Sequence, residues 1–404
     1  MKALMYGGGN IGRGFIGMLL SQSGYNVTFV DVVDTVVETL NKNGKYPVRI
    51  ISNTGHTDVD VLNVNAVDGK NGEAVAEAIA NTDIMATAVG VNVLKFIIPN
   101  IVAGLKLRKE RNLPPFNIII CENLMDANKV LEKMIKEHLN GEEQAWFDEN
   151  IGLVEASIGR MVPVQTEDMK DGDPLRVCVE SYGFLPVDKD AFKGTIPEIK
   201  NMVPFAPFDF YLKRKLYVHN MGHATCAYLG NILGLEYIYQ SIDKDEVYII
   251  VRGAMEESAR ALSKKYGVAL EEILLHITDL LNRFTNAALK DTCQRVGGDP
   301  ARKLSPEDRL IGSSKLAIEL GMTPAYIAIG AAAGLRRYLA EVDGCEQTVE
   351  CAKQVLCEHC RLSENDKLTN MILDMYKMII GGKSLGEIRR AADALIKNEL
   401  NGVI

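Results

Sequence analysis

The 404-residue chain predicts an α/β fold, with a doubly wound parallel sheet in its first half and a predominantly α-helical second half. Three observations predict it. Short apolar runs alternate with helical periodicity through the first 150 residues or so, and a glycine-rich turn separates the first run from the first helix. Strand-like runs then stop near residue 205, while long amphipathic patterns continue almost to the end.

The runs "KALMY" (2–6), "VTFVD" (27–31), "DIMATAV" (83–89) and "FNIIIC" (116–121) are nearly continuous in apolar residues, as strands covered on both faces are. "NVLKFIIPNIVAGLKLRKE" (92–110) has helical spacing instead. From 152 to 186, "GLVEASIGRMVP" and "PLRVCVESYGFLPVD" flank the polar "QTEDMKDGDP" and predict a further extension of the sheet, antiparallel in sense. "FKGTIPEIKNMVPFAPF" (192–208) holds three prolines and no clear period, which predicts a connector and domains at 1–195 and 196–404. Beyond it, "DEVYIIVRGAMEESARALSKKYG" (245–267) typifies the helical half.

The formal net charge of −8 argues against a surface that coats nucleic acid. No stretch approaches the roughly 18 uncharged apolar residues of a membrane span, and glycines and Arg13 interrupt the first 20 residues in a strand-turn-helix pattern. The expectation is a cytoplasmic protein, a monomer or homodimer, with a small-molecule partner, no nucleic acid and no membrane. Cys121, Cys178, Cys226 and Cys293 sit in apolar or helical sequence and read as reduced, buried thiols. Cys345, Cys351, Cys357, His359 and Cys360 crowd together, and Cys357 and Cys360 have metal-ligand spacing. A lone pair of this kind is a weak signal, and Val349, Ala352, Val355 and Leu356 lay a helical stripe through the segment. No metal is expected.

Gly7, Gly9 and Gly12 stand at G-x-G-x-x-G spacing between the first strand and a helix whose Ile11, Phe15, Ile16 and Leu19 share a face. Such a turn brings backbone N–H groups and a helix amino terminus to a pyrophosphate. Asp31 ends the next strand, where a carboxylate accepts from ribose hydroxyls, and the following "VVD" offers no cation for a 2′-phosphate. The first half therefore reads as a Rossmann-type domain for NAD, against the alternative of a glycine-rich packing turn.

In the second half, "KRKLYVHNMGHATCAYLG" (213–230) spaces Lys215, Asn220 and His223 five and then three residues apart. On an ideal α-helix Asn220 and His223 share a face, with Lys215 within about 80° of His223. Oxidising a secondary alcohol needs a base for the hydroxyl proton, a donor for the alkoxide and a group to orient the substrate. A lysine, an asparagine and a histidine can take those parts. The same residues also fit a solvated lysine beside a core histidine.

The segments "MKALMYGGGNIGRGFIG", "TAVG" (87–90), "IIICEN" (118–123), "GRMVP" (159–163), "KLYVHNMGHATCAYLG", "GAMEES" (253–258) and "RFTNAALKDTCQRVGGDPARKLSPEDRL" (283–310) resemble the polyol-specific long-chain dehydrogenases, the mannitol dehydrogenase family. The resemblance runs from residue 1 to about 340. It implies a metal-independent NAD enzyme with Lys215 as general base and Asn220 and His223 as its partners. It also implies cofactor contacts at Gly7, Gly9, Asn10, Ile11, Gly12, Asp31, Ala88, Val89, Glu122 and Asn123.

"RKL" followed by "DRL" looks like the phosphate-substrate branch. That implies a sugar or polyol phosphate as partner, D-mannitol 1-phosphate interconverting with D-fructose 6-phosphate, held by Arg302, Lys303 and Arg309. The alternatives are an unphosphorylated polyol, a hexuronate, or a protein that binds NAD without turnover. Three positions depart from the family: Gly159 stands for an aspartate, Glu155 for Asn or Asp, and His219 adds an imidazole before Asn220.

Overall fold

Eleven strands occur among the residues described by the computed structural model, 1–342 and 346–401. They are β1 (Lys2–Tyr6), β2 (Asn26–Asp31), β3 (Lys45–Ser52), β4 (Gly55–Leu62), β5 (Val64–Asp68), β6 (Ile84–Thr87), β7 (Phe116–Ile120), β8 (Ile151–Glu155), β9 (Val177–Val179), β10 (Leu185–Asp188) and β11 (Met202–Phe205). All lie in the first of two compact units, Met1–Tyr211; the second is Leu212–Ile404.

Six strands form one parallel sheet in the order β5-β2-β1-β6-β7-β8. Successive side chains leave a strand on opposite faces, so each strand feeds two cores. Met5, Phe29 and Ile119 join Phe15, Ile16 and Leu19 on one face. Leu4, Val30 and Ile118 join Val75, Ile101 and Leu131 from three helices on the other. Burial on both faces explains why these strands read as apolar runs without alternation.

The expected extension of the sheet takes another form. Only β8 joins the six-stranded sheet, and it does so in parallel. β9 pairs in parallel with β3, which forms an antiparallel hairpin with β4, and β10 pairs in parallel with β11. Antiparallel contact is confined here to the bridge between Ala156 and Val187. Local alternation marks a strand but carries no record of its partner, and β9's partner β3 lies about 130 residues earlier in the chain. The proline-containing connector likewise contains β11, whose Met202 is in register with Leu185.

In the second unit every described element is helical. Met221–Ile232, Asp245–Tyr266 and Ala325–Glu341 bury the most side chains among its described helices, and Gly267 (φ 68°) ends the long one. The Glu257 carboxylate accepts from the amides of Tyr326 and Ile327, which opens Ala325–Glu341 against Asp245–Tyr266. Burial pushes that carboxyl up to about 8.

The cysteine-rich segment forms the helix Val349–Glu358 with Ala352 and Leu356 buried. His359 Nε2 lies 2.6 Å from the Ala301 carbonyl, and its ring stacks on Tyr338. Cys345 is outside the described residues. Among the described residues no three His, Cys, Asp or Glu side chains gather as a metal-holding group, and no helix is long and apolar enough to cross a membrane.

Candidate active site

The glycine turn lies where the strand order of the main sheet reverses, between β1 and β6. Gly7 (φ +102°) adopts a backbone that L side chains rarely reach, and a Cβ there would stand 2.5 Å from the Ala88 carbonyl oxygen. A Cβ on Gly12 would stand 1.9 Å from the Gly7 carbonyl oxygen, so the helix can close on the turn only at glycine. Gly9 has nothing within 4 Å of its Cβ position, and Gly9 and Asn10 are exposed, with Ile11 half-buried against the core. The turn is closed on the sheet side and open on the other. That is the shape a pyrophosphate needs in order to reach backbone N–H groups.

Three carboxylates at the carboxyl ends of strands hold the loops of this edge. Asp31, the last residue of β2, accepts from the Gly8 amide at 2.7 Å and from Val33 at 2.9 Å. Glu122, after β7, accepts from Val89 at 2.9 Å and Gly90 at 2.8 Å. Glu155, in β8, accepts from Ala127 at 2.8 Å, and burial raises its pKa above the ordinary carboxylate range. Ala88 and Val89 are thus fixed beside Gly7. Glu122 is 7% exposed and turned to that loop, while Asn123 is exposed.

A feature invisible in the spacing is the coil of Gly12–Gly17, which is π-helical. The extra residue per turn displaces carbonyls from the usual ladder, and tertiary donors meet them. Tyr46 Oη donates to the Arg13 carbonyl and Arg160 Nη1 to the Gly14 carbonyl, both at 2.8 Å. Arg160 also donates to the Tyr182 carbonyl and lies over the Phe15 ring. β9 packs against the same helix, and a Cβ on Gly14 would stand 2.8 Å from Val177 and Val179. At Gly159 an added Cβ would meet Tyr182 at 3.0 Å, so Tyr182 occupies the space beside that position.

In the second unit, Lys215–Asn220 is also π-helical and runs into Met221–Ile232. An i→i+5 turn stacks residues five apart, as an α turn stacks those four apart. Lys215 and Asn220 therefore follow one another along one face, and His223 continues it three residues later. The offset of about 80° expected from an ideal helix is removed by the widened turn. Lys215, Asn220 and His223 are all half-buried.

The surroundings are cationic, and the two histidines are the most enclosed groups. Burial lowers His223 to about 4, against the opposing pull of Asp291 and with the help of Arg295, Arg283 and Arg309. Burial likewise holds His219 well below its usual value, reinforced by Arg283 and the neighbouring histidines and Lys215. His223 stacks on Phe284, centroids 4.7 Å apart and planes 15° apart. Arg283 is 7% exposed and lies 3.4 Å from Asp279. No local signal marked it: at about 100° per residue it falls about 60° outside the stripe of Ile273, Ile277, Leu280, Leu281 and Phe284, where a solvated arginine would also stand, and only the fold buries it.

The three candidate phosphate ligands separate. Arg302 is half exposed and tied to Asp299 at 2.7 Å. Lys303 is buried, donates to the Gly298 carbonyl, and is pushed down to about 8 by burial and then by Arg309 and Arg302. Arg309 is 12% exposed, pairs with Asp308 at 2.7 Å, and is among the cations that act on His223.

The family model of the mannitol dehydrogenase Rossmann domain matches residues 1–201, and that of the mannitol dehydrogenase C-terminal domain matches 208–379. The chain belongs to the mannitol dehydrogenase family. Among solved structures, a D-sorbitol dehydrogenase in substrate-free form is similar at a TM-score of 0.80 and 15% identity, over 94% of this chain and 93% of that one. Mannitol 2-dehydrogenase of Pseudomonas fluorescens, in a ternary complex with NAD and D-mannitol, is similar at 0.71 and 14%, over 98% and 94%. At such identities the likeness is one of fold. Both halves of the mannitol dehydrogenase fold are thus present, and the chain is an oxidoreductase of the polyol dehydrogenase type.

Proposed function

We propose that this chain is an NAD-dependent mannitol-1-phosphate 5-dehydrogenase, interconverting D-mannitol 1-phosphate and D-fructose 6-phosphate. The observation that carries the catalytic part is the alignment of Lys215, Asn220 and His223 by the π turn in a buried, cationic setting. NAD is the cofactor. The open glycine turn fits its pyrophosphate, and Asp31 at the end of β2 fits its adenosine ribose and repels a 2′-phosphate. When bound, NAD accepts the hydride released from the carbinol carbon.

Lys215 takes the hydroxyl proton, Asn220 donates to the oxygen as negative charge develops there, and His223 orients the substrate. In the reverse direction Lys215 returns that proton to the carbonyl oxygen. Gly7, Gly9, Asn10, Ile11 and Gly12 line the dinucleotide turn, and Ala88 and Val89 border it. Glu122 acts through its hold on Val89 and Gly90, and Asn123 is the residue of that pair free to face a ligand.

Support for a phosphorylated substrate comes from Arg283, Lys303 and Arg309, cations more buried than surface residues are, with Arg302 as an outer charge. An unphosphorylated polyol is the second reading. It is favoured by the pairing of Arg302 and Arg309 with Asp299 and Asp308, which already neutralise part of that charge. NADH oxidation with fructose 6-phosphate, fructose, tagaturonate and fructuronate side by side separates the readings. The proposal expects fructose 6-phosphate to be preferred; faster turnover of fructose would replace it with the second.

A further inference from the structure

His223 carries a ring nitrogen that the proposed chemistry does not use. Nε2 is buried and makes no hydrogen bond among the described residues, yet it lies 3.5 Å from Asp291 Oδ2, within ion-pair range. We propose that Asp291 is a positioning residue that holds the His223 imidazole with its proton on Nε2, leaving Nδ1 as a lone-pair acceptor for a substrate hydroxyl. The inference rests on the reading of His223 as the substrate-orienting group.

Asp291 is fixed from several sides. Its carbonyl accepts from the Ile238 amide at 2.9 Å, and two residues on the Cys293 amide donates to Glu236 at 2.8 Å, so the segment is pinned to the chain that follows His223's own helix. Its Oδ1 accepts from Arg295 Nε at 2.8 Å and Nη2 at 2.5 Å. Its side chain is 9% exposed. Arg295 thus holds one oxygen while the other faces the imidazole.

The groups around the ring decide its charge. Burial, together with Arg295, Arg283 and Arg309, opposes a second proton, and Asp291 is the counterweight. Phe284 covers one face, and the His219 ring lies 6.1 Å away. At neutral pH the ring is therefore neutral and has one N–H to place. With the proton on Nδ1, the Nε2 lone pair would face a carboxylate oxygen. With it on Nε2, the contact becomes a charge-assisted donor-acceptor pair. Such bonds tighten when substrate closes the site.

The test is a nitrogen-15 spectrum of histidine-labelled protein without substrate, for the unaltered chain and for Asp291→Asn, followed by steady-state kinetics. The unaltered chain is expected to show His223 neutral with Nε2 protonated near pH 7. In Asp291→Asn the amide N–H can face Nε2 and favour the other tautomer, so kcat is expected to fall by roughly 10²-fold or more while the KM for NAD stays nearly unchanged. An Nδ1–H ring in the unaltered chain overturns the proposal even if the variant does not fold, as does an unmoved tautomer in a folded variant. The spectrum needs no substrate. The expected tautomer without polyol turnover would break the proposed function and leave the Asp291 contact standing.

Discussion

Two short stretches of this chain coil with one extra residue per turn, Gly12–Gly17 in the first unit and Lys215–Asn220 in the second. In the first, the distortion serves the backbone. Glycines at 14 and 17 let β9, Phe29 and Tyr46 approach, and the displaced carbonyls of Arg13 and Gly14 are met by Tyr46 and Arg160. In the second it serves the side chains, bringing residues five apart onto one face beside a buried histidine. The same backbone departure therefore has a packing role in one place and, under the proposed function, a chemical role in the other. A substitution in the first should be felt in stability, and one in the second in turnover.

The sharpest way to break that contrast is Lys215→Ala. It should lower kcat by at least about 10²-fold, as loss of a general base does, with little change in NADH affinity or melting temperature. Turnover that survives, measured by NADH absorbance, would remove the chemical role proposed for the second coil.

The pH dependence of stability comes next in size. The folded His223 titrates near 4 and an unfolded histidine near 6.5, so below about pH 6.5 the unfolded chain takes up a proton that the native ring refuses. Stability should fall as pH drops through this window, by up to about 3 kcal/mol from this group. Melting curves of the unaltered chain and His223→Gln between pH 7 and 4 check it, the variant being the flatter. Parallel curves would mean that the ring is not held neutral by burial.

Gly17→Ala places a Cβ 2.5 Å from Phe29 and 2.9 Å from Tyr46 Oη, and should destabilise by about 2 kcal/mol. Gly222→Ala, next to the second coil, meets the flexible Met255 thioether instead, and should be tolerated at under about 1 kcal/mol. Equal losses in thermal denaturation would erase the difference in packing between the two coils. Asp31→Ser should weaken NAD about tenfold and relatively favour NADP, since a charged acceptor is removed. An unchanged preference in cofactor titrations would separate Asp31 from the ribose. A comparably small effect is expected from Tyr46→Phe, which deletes the bond to the Arg13 carbonyl and should lower stability by about 1 kcal/mol in denaturant unfolding.

Much of the fold was legible because its signals are local. β1, β2, β6 and β7 are apolar runs with turn residues at their ends, and the helices at Leu94–Glu110 and Asp245–Tyr266 follow their apolar period to within two residues. β3 was legible in principle, through Tyr46 and Val48 alternating along "KYPVRIIS", but not its pairing with β9. The connector hid β11 because its prolines mask a partner that only register reveals. At the site, residue types and spacing pointed to Lys215, Asn220 and His223. Asp291 stood unremarked in "LKDTCQ", because nothing local distinguishes a carboxylate that faces a histidine 68 positions earlier.

By itself, the sequence determined the order of strand, turn and helix and the spacing of the residues proposed for the chemistry, because propensity, periodicity and glycine placement act over a few residues. Tertiary structure alone decided how Gly12–Gly17 and Lys215–Asn220 coil, which carboxylates hold the loops of the sheet edge, and what His223 faces. Those outcomes depend on contacts between segments far apart in the chain. A π turn closes only where distant donors such as Tyr46 and Arg160, or a tightly packed helical core, offset the regular hydrogen bonds it gives up.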